Sequence, residues 1–274
     1  MIPFQPVFVN SFSRRQTHCR RIFPLYIHPK RWYTGTWKKI VTGSQGEGSS
    51  CDTERRNALI EAVVFNLDGV LVCSDECHYR AWQQLAHEQG IQLLPDLYLK
   101  MVGLKRMDSI KILLAGRDRT YTAQEMWALS VRKNDLFNEQ IDRLDQESIL
   151  PGALETVIAL KNKGVKTAVA SSSENATGIL RQLRIDHWFD VVVDGTQIEK
   201  GKPDPEVYLT AARKLSMPTG NCLVIENTPA GEEGAQQAGM RCMMLANPYE
   251  PNDRHLPSTL AELDLTLLAN DQES

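Results

Sequence analysis

The stretch Ala62-Val63-Val64-Phe65-Asn66-Leu67-Asp68-Gly69-Val70 decides how this chain is read. Ala62–Leu67 is a short apolar run rich in β-branched and aromatic side chains, and the turn pair Asp68-Gly69 follows it. That pattern predicts a buried strand ending in a tight turn. Ordered structure is expected to begin at Ile60, just ahead of it.

Working outward, residues 75–148 change character. They carry long amphipathic, glycine-poor patterns, HYRAWQQLAHEQG and AQEMWALSVRKNDLFNEQIDRL, which predict a small helical unit. From Leu150 the pattern alternates. Pro151-Gly152 opens a helix (ALETVIALKNKG) that stops at Gly164, and the strand Val165–Ala170 follows. Then come a helix over 175–184, the strand Val191–Val193, a helix over 204–215 and the strand Cys222–Ile225. A helix over 230–238 stops at Gly239, and the strand Arg241–Leu245 closes the series. Strands alternating with helices imply right-handed βαβ units and a parallel sheet, here of about five strands. The fold class expected is therefore α/β, with residues 58–74 and 149–250 as the core and 75–148 as an inserted helical cap. In such a sheet ligands lie beyond the carboxyl ends of the strands, where the insert can cover them. No internal repeat is present.

Composition narrows the partners. The 274 residues are 42% hydrophobic and 24% charged with a formal net charge of −3, which is ordinary for a soluble globular chain. Nothing in that balance calls for a nucleic-acid partner, and no apolar run approaches the ~20 residues that span a bilayer. The charge is uneven: residues 1–46 hold Arg14, Arg15, Arg20, Arg21, Lys30, Arg31, Lys38 and Lys39 and no acid. Pro3, Pro6, Pro24 and Pro29 break any amphipathic helix there, so residues 1–57 are expected to be a poorly ordered extension, its part Gly43–Asn57 a linker. Residues 251–274 are set aside as a C-terminal segment. The six cysteines form no CxxC pair and are expected to be free thiols in a reducing compartment. A cytoplasmic monomer is expected, with organelle import through the basic N-terminus left open.

Four polar segments follow four strands: Asn66-Leu67-Asp68-Gly69, Ser171-Ser172-Ser173, Lys202 in GKPDPEVY, and Glu226-Asn227 in VIENTPAG. All four should meet at one end of the sheet. Together with LDGVLV, HYRAW, RKND, SSSEN and the glycine-alanine helix ending in AGM, they resemble the haloacid dehalogenase superfamily, and more closely its β-phosphoglucomutase family, over about residues 60–246. The resemblance implies a pocket for a small phosphosugar and a Mg²⁺ ion held by the residues at Asn66, Asp68, Glu226 and Asn227. It makes Asp68 the acid/base residue and Lys202 the cation that offsets phosphoryl charge. It gives Ser171, Ser172 and Asn175 to the phosphoryl oxygens and His78, Trp82, Arg106 and Lys133 to the phosphosugar or to orienting Asp68. The resemblance also makes Arg106 the clamp for the phosphate that is not transferred.

Three positions depart from the family pattern. Asn66 stands at the nucleophilic aspartate, Asn227 at a metal-binding aspartate, and Glu174 at a phosphate-binding lysine. A neutral amide cannot form the aspartyl phosphate through which the family transfers its phosphoryl group. Two Asp-to-Asn changes also strip two charges from around one cation, so Mg²⁺ binding is expected to be weak. Two functions remain open from the sequence: a phosphomutase between β-glucose 1-phosphate and glucose 6-phosphate, and an inactive relative that binds a phosphosugar or a protein. A sugar-phosphate phosphatase would need the same missing nucleophile. Read alone, His78, Trp82, Arg106 and Lys133 are ordinary helix residues, and only the motif context lifts them.

Overall fold

The computed structural model describes residues 59–249 and 255–263. The expected extension at 1–57 and most of the segment at 251–274 therefore lie outside the described residues. One all-parallel sheet runs in the order β3-β2-β1-β4-β5. Its strands are β1 (Ala62–Phe65), β2 (Lys166–Ala170), β3 (Val191–Val193), β4 (Cys222–Glu226) and β5 (Arg241–Met244). β1 is central: Ala62 stands opposite both Lys166 and Cys222, and Phe65 opposite both Val169 and Ile225.

The unbroken apolar run of β1 has a physical cause, since all four of its residues are fully buried. Val63 and Phe65 join one core cluster with Val169, Leu223 and Ile225, while Ala62 and Val64 join another with Ala168, Ala170, Val224 and Tyr208. Both faces are covered, as parallel sheets require. Burying a Val or Phe side chain contributes about 1.5–3 kcal/mol.

Four helices make up the insert that follows β1: α1 (Asp75–Glu88), α2 (Pro95–Leu99), α3 (Arg106–Leu114) and α4 (Ala123–Ile141). The capping box of α4 starts that helix sharply, Thr122 Oγ1 accepting from Glu125 N–H and Glu125 Oε2 accepting from Thr122 N–H. The remaining helices are α5 (Ala153–Asn162), α6 (Ala176–Gln182), α7 (Glu206–Leu215) and α8 (Pro229–Gln237).

Some boundaries differ from the sequence reading. β1 stops at Phe65 rather than Leu67, because the chain folds back at once: the N–H groups of Leu71 and Val72 both donate to Leu67 O. α1 starts three residues before HYRAW, with Asp75 and Glu76 in a first turn that favours acids. α2 and α3 were not foreseen; α2 is a single short turn after Pro95, too short to show a period. Part of the C-terminal segment packs on the core, Leu260 being fully buried and Ala261 N–H donating to Pro151 O at 3.2 Å. The expectation of free thiols needs a correction: Cys73 is disulfide-bonded, while Cys77, Cys222 and Cys242 are in no disulfide. Among the described residues no helix is long and apolar enough to cross a membrane.

Candidate active site

At the carboxyl ends of β1 and β4, four residues interlock. Lys202 and Glu226 form an ion pair with side-chain exposures of 1% and 0%. The Lys202 ammonium also donates to Asn66 Oδ1 at 3.1 Å and to Ala170 O at 3.2 Å, which uses all three of its hydrogens. Glu226 Oε1 accepts from Lys202 and from the Tyr208 hydroxyl at 2.9 Å. Its Oε2 accepts from Asn227 N–H at 2.7 Å, Thr228 N–H at 3.0 Å and the Thr228 hydroxyl at 3.1 Å. Five donors thus face a carboxylate with about four lone-pair directions. The space it fills is tight: a Cβ at Gly231 would lie 2.1 Å from the Glu226 carboxyl carbon.

The orientation of the two asparagines follows from the same network. Lys202 only donates, so the Asn66 atom facing it is the oxygen. The amide nitrogen of Asn66 then donates to Asp68 O at 3.2 Å and to Asn227 Oδ1 at 3.0 Å. Asn227 therefore turns its own NH₂ the other way, against Gly69, where a Cβ would approach within 2.2 Å.

Asp68 lies at the mouth of this network. Its Oδ1 accepts from the Ser74 hydroxyl at 2.5 Å and faces His78 Nε2 at 3.6 Å. Burial alone would raise its pKa, but His78, Ser74 and Lys202 outweigh it and hold the carboxyl below its usual range. On the other side of His78, Nδ1 lies 2.8 Å from Lys133 Nζ. An ammonium there donates, which leaves Nδ1 bare and puts the ring hydrogen on Nε2, aimed at Asp68. Burial, then Lys133, pushes the His78 pKa down. Lys133 itself is buried over the rings of Phe137 and Trp82, at 4.4 and 5.1 Å. Burial and then the Arg106 charge lower its pKa to about 7.

Ser171 and Ser172 are buried just beyond β2, and Asn175 bonds across to Asn134 of α4 at 2.9 Å. Arg106 Nη2 donates to the Glu174 carboxylate, and its Nη1 to Ser130 O at 3.3 Å. The expected phosphate clamp is thus paired with an acid of the chain itself. One pocket is lined by Asn66, Asp68, His78, Trp82, Arg106, Lys133, Ser171, Ser172, Glu174, Asn175, Lys202 and Asn227, so residues read from separate motifs converge. Glu226 is absent from its wall, being sealed behind Asn227 and Lys202.

That arrangement does not fit the Mg²⁺ ligand set read from sequence. Glu226 has no free oxygen lone pair, Asn66 spends its oxygen on Lys202, and Asn227 spends its own on Asn66. Of the four, Asp68 alone keeps a carboxylate facing the pocket, and no group of three His, Cys, Asp or Glu suited to a metal occurs among the described residues. A hard dication wants six or more oxygens, several of them charged.

Sequence reasoning missed several wall residues. Asp75, Tyr98, Asn247 and Tyr249 also line the pocket. The side-chain nitrogen of Asn247 is buried with no hydrogen-bond partner among the described residues. Burial and the neighbouring Asp68 raise the Asp75 pKa to about 6. Asp75 could have been noticed as an acid in the first turn of α1; Asn247 and Tyr249 follow β5 and carry no motif. Tyr208 was quoted within GKPDPEVY without a role, and here it holds Glu226.

Replacing Lys202 by Met strands a buried carboxylate. We expect Lys202→Met to lose about 3–5 kcal/mol in denaturant unfolding, and Lys202→Met with Glu226→Gln to recover most of it. A single-variant loss below ~1 kcal/mol would show that the pair does not hold the site together.

Comparison with known proteins shows the family. Residues 60–239 match the haloacid dehalogenase-like hydrolase family. β-Phosphoglucomutase of Bacillus subtilis (strain 168) is 38% identical over 183 residues, covering 66% of this chain and 81% of that protein. A phosphorylated carbohydrates phosphatase of Thermotoga maritima is 29% identical over 184 residues, covering 66% and 82%. The crystal structure of a β-phosphoglucomutase from Clostridium difficile superposes with a TM-score of 0.69 at 29% identity, covering 77% of this chain and 96% of that one. The chain therefore belongs to the haloacid dehalogenase-like hydrolases and is a homologue of the β-phosphoglucomutases.

Proposed function

We propose that this chain binds a phosphorylated sugar between its helical insert and its sheet, and that the phosphotransfer of its relatives is impaired in it. The carrying observation is the state of Asn66. It is a buried neutral amide whose oxygen is held by Lys202 and whose nitrogen is spent on Asp68 O and Asn227. No anion stands where an attack on phosphorus would start. A phosphatase reading, which the Thermotoga relative brings to mind, needs that same anion.

In this reading Ser171, Ser172 and Asn175 receive the phosphoryl group beside Lys202. His78 and Lys133 orient Asp68, which retains the position of an acid/base residue. Trp82 and Arg106 face the rest of the sugar phosphate. Mg²⁺ binds weakly, and the protein acts as a cytoplasmic monomer.

A phosphomutase assay with β-glucose 1-phosphate, a trace of β-glucose 1,6-bisphosphate and Mg²⁺ tests this directly, with mass spectrometry confirming that position 66 is still asparagine. We expect no turnover from the native chain and a gain of at least about a hundredfold over background from Asn66→Asp, a modest part of what a covalent nucleophile usually supplies. Turnover by chain with intact Asn66 sinks the reading.

Glu174 competes with a bound phosphate for Arg106. Unit charges ~4 Å apart at an effective dielectric of ~20 interact by about 4 kcal/mol, and solvent at this half-exposed side chain removes most of that. Glucose 6-phosphate should accordingly bind Glu174→Gln roughly tenfold more tightly; unchanged affinity in calorimetry means that Arg106 does not meet the ligand.

The pocket charge is also pH-dependent. Lys133, with its pKa near 7, loses its positive charge as pH rises, and Asp75, with its pKa near 6, gains a negative one. Both changes disfavour an anion. Glucose 6-sulfate, whose own charge is constant here, should bind more weakly at pH ~8 than at pH ~6 by roughly tenfold. Lys133→Met should remove the upper part of that dependence, and a flat profile in the native chain would count against both groups.

A further inference from the structure

We propose that the place where the family holds its divalent cation is, in this chain, a neutral oxyanion site, which binds the phosphoryl group of a phosphomonoester or inorganic phosphate without Mg²⁺. The inference rests on the reading that this pocket takes a phosphoryl group.

The donor geometry carries it. The direction of the Asn66 amide is dictated by neighbours of fixed polarity, Lys202 on the oxygen and Asp68 O on the nitrogen. That in turn dictates Asn227, whose oxygen meets Asn66 at 3.0 Å. The NH₂ of Asn227 is left over: it makes no hydrogen bond to any described side chain or backbone group, and its residue lines the pocket. A carboxylate at this position would present an acceptor, which suits a cation. The amide presents a donor, which suits a phosphoryl oxygen. The Ser171 hydroxyl lies on the same wall, and because its oxygen already accepts from Ser173 N–H at 3.1 Å, its hydrogen is directed elsewhere.

Charge balance points the same way. A dication with two aspartates sums to zero, and so do two asparagines with no cation. The phosphoryl group would therefore face the same net charge in both arrangements, with amide N–H donors taking over from the metal. A cation entering here would have to break the Asn66–Asn227 hydrogen bond and would find neither a free carboxylate on Glu226 nor any charge on the two amides to compensate. The sealed Lys202–Glu226 pair behind them contributes no net charge.

The test is calorimetric titration of the full chain with inorganic phosphate, once in excess EDTA and once in excess Mg²⁺, with glucose 6-phosphate run alongside. Phosphate affinities agreeing within roughly threefold support the inference. Asn227→Asp restores a charge and an acceptor, so its phosphate affinity in EDTA should fall at least about tenfold and recover on adding Mg²⁺. Asn227→Ser keeps the site neutral and should stay indifferent to Mg²⁺, which separates the charge effect from any folding defect. Thermal melts of both variants establish that they are folded. Phosphate binding tenfold tighter in Mg²⁺ than in EDTA by the native chain overturns the inference and leaves the phosphosugar reading standing. An Asn227→Asp protein that binds phosphate undiminished in EDTA also overturns it. Failure of both phosphate and glucose 6-phosphate to bind in either buffer overturns the two together.

Discussion

The Lys202–Glu226 ion pair is the point on which the rest of the site hangs. Two charges at almost zero exposure carry a desolvation cost of several kcal/mol each, which only full hydrogen bonding offsets. The chain meets that cost by recruiting groups from separate elements: Ala170 from the end of β2, Asn66 from the end of β1, Tyr208 from α7, and Asn227 and Thr228 from the turn after β4. Satisfying one buried carboxylate thus pins the ends of three neighbouring strands in register. It also explains a glycine, since at Gly231 any side chain would run into the Glu226 carboxyl group.

Around that neutral hub the remaining charges are shared between the insert and the sheet. Arg106 reaches Glu174, Asn134 reaches Asn175, and the Lys105 ammonium donates to Ile198 O at 2.7 Å and to Glu199 O at 3.3 Å. These contacts tie the insert to the strand ends on the side where Ser171, Ser172 and Asn175 lie. Lys133, shielded by Phe137 and Trp82, holds His78 in one tautomer, and His78 faces Asp68. Asp68 therefore keeps a charged, oriented carboxylate at the pocket, while Asn66 beside it is a neutral amide with both ends hydrogen-bonded.

Much of this was legible in the chain itself. Ala62–Leu67 announced a buried strand, because an apolar run bounded by Asp-Gly has few other uses. The alternation after Leu150 gave every later strand to within a residue or so. Asn66, Asp68, Lys202 and Asn227 could be placed together because each lies in a segment that follows a strand of one parallel sheet. What stayed hidden depends on side-chain direction, which spacing does not encode. Glu226 was read as a metal ligand, yet it lies behind the pocket wall. Glu174 was read as a repulsive charge, yet Arg106 absorbs it. Asn247 and Tyr249 reach the pocket only through the path of the chain after β5, and α2 is too short to leave a period.

The central place of β1 has a consequence for how the molecule comes to exist. Its two partners, β2 and β4, lie about a hundred and about a hundred and sixty residues further along the chain. During synthesis the first strand must wait for both, and such distant pairings make folding slow. Meanwhile Ala62–Leu67 is an uncharged, β-prone segment with no proline, the kind that joins other copies when left exposed. The helices α1 to α4 that follow it make local contacts and can form early. They wall the pocket in the finished protein, and in the nascent one they are the first compact neighbour that the waiting strand has.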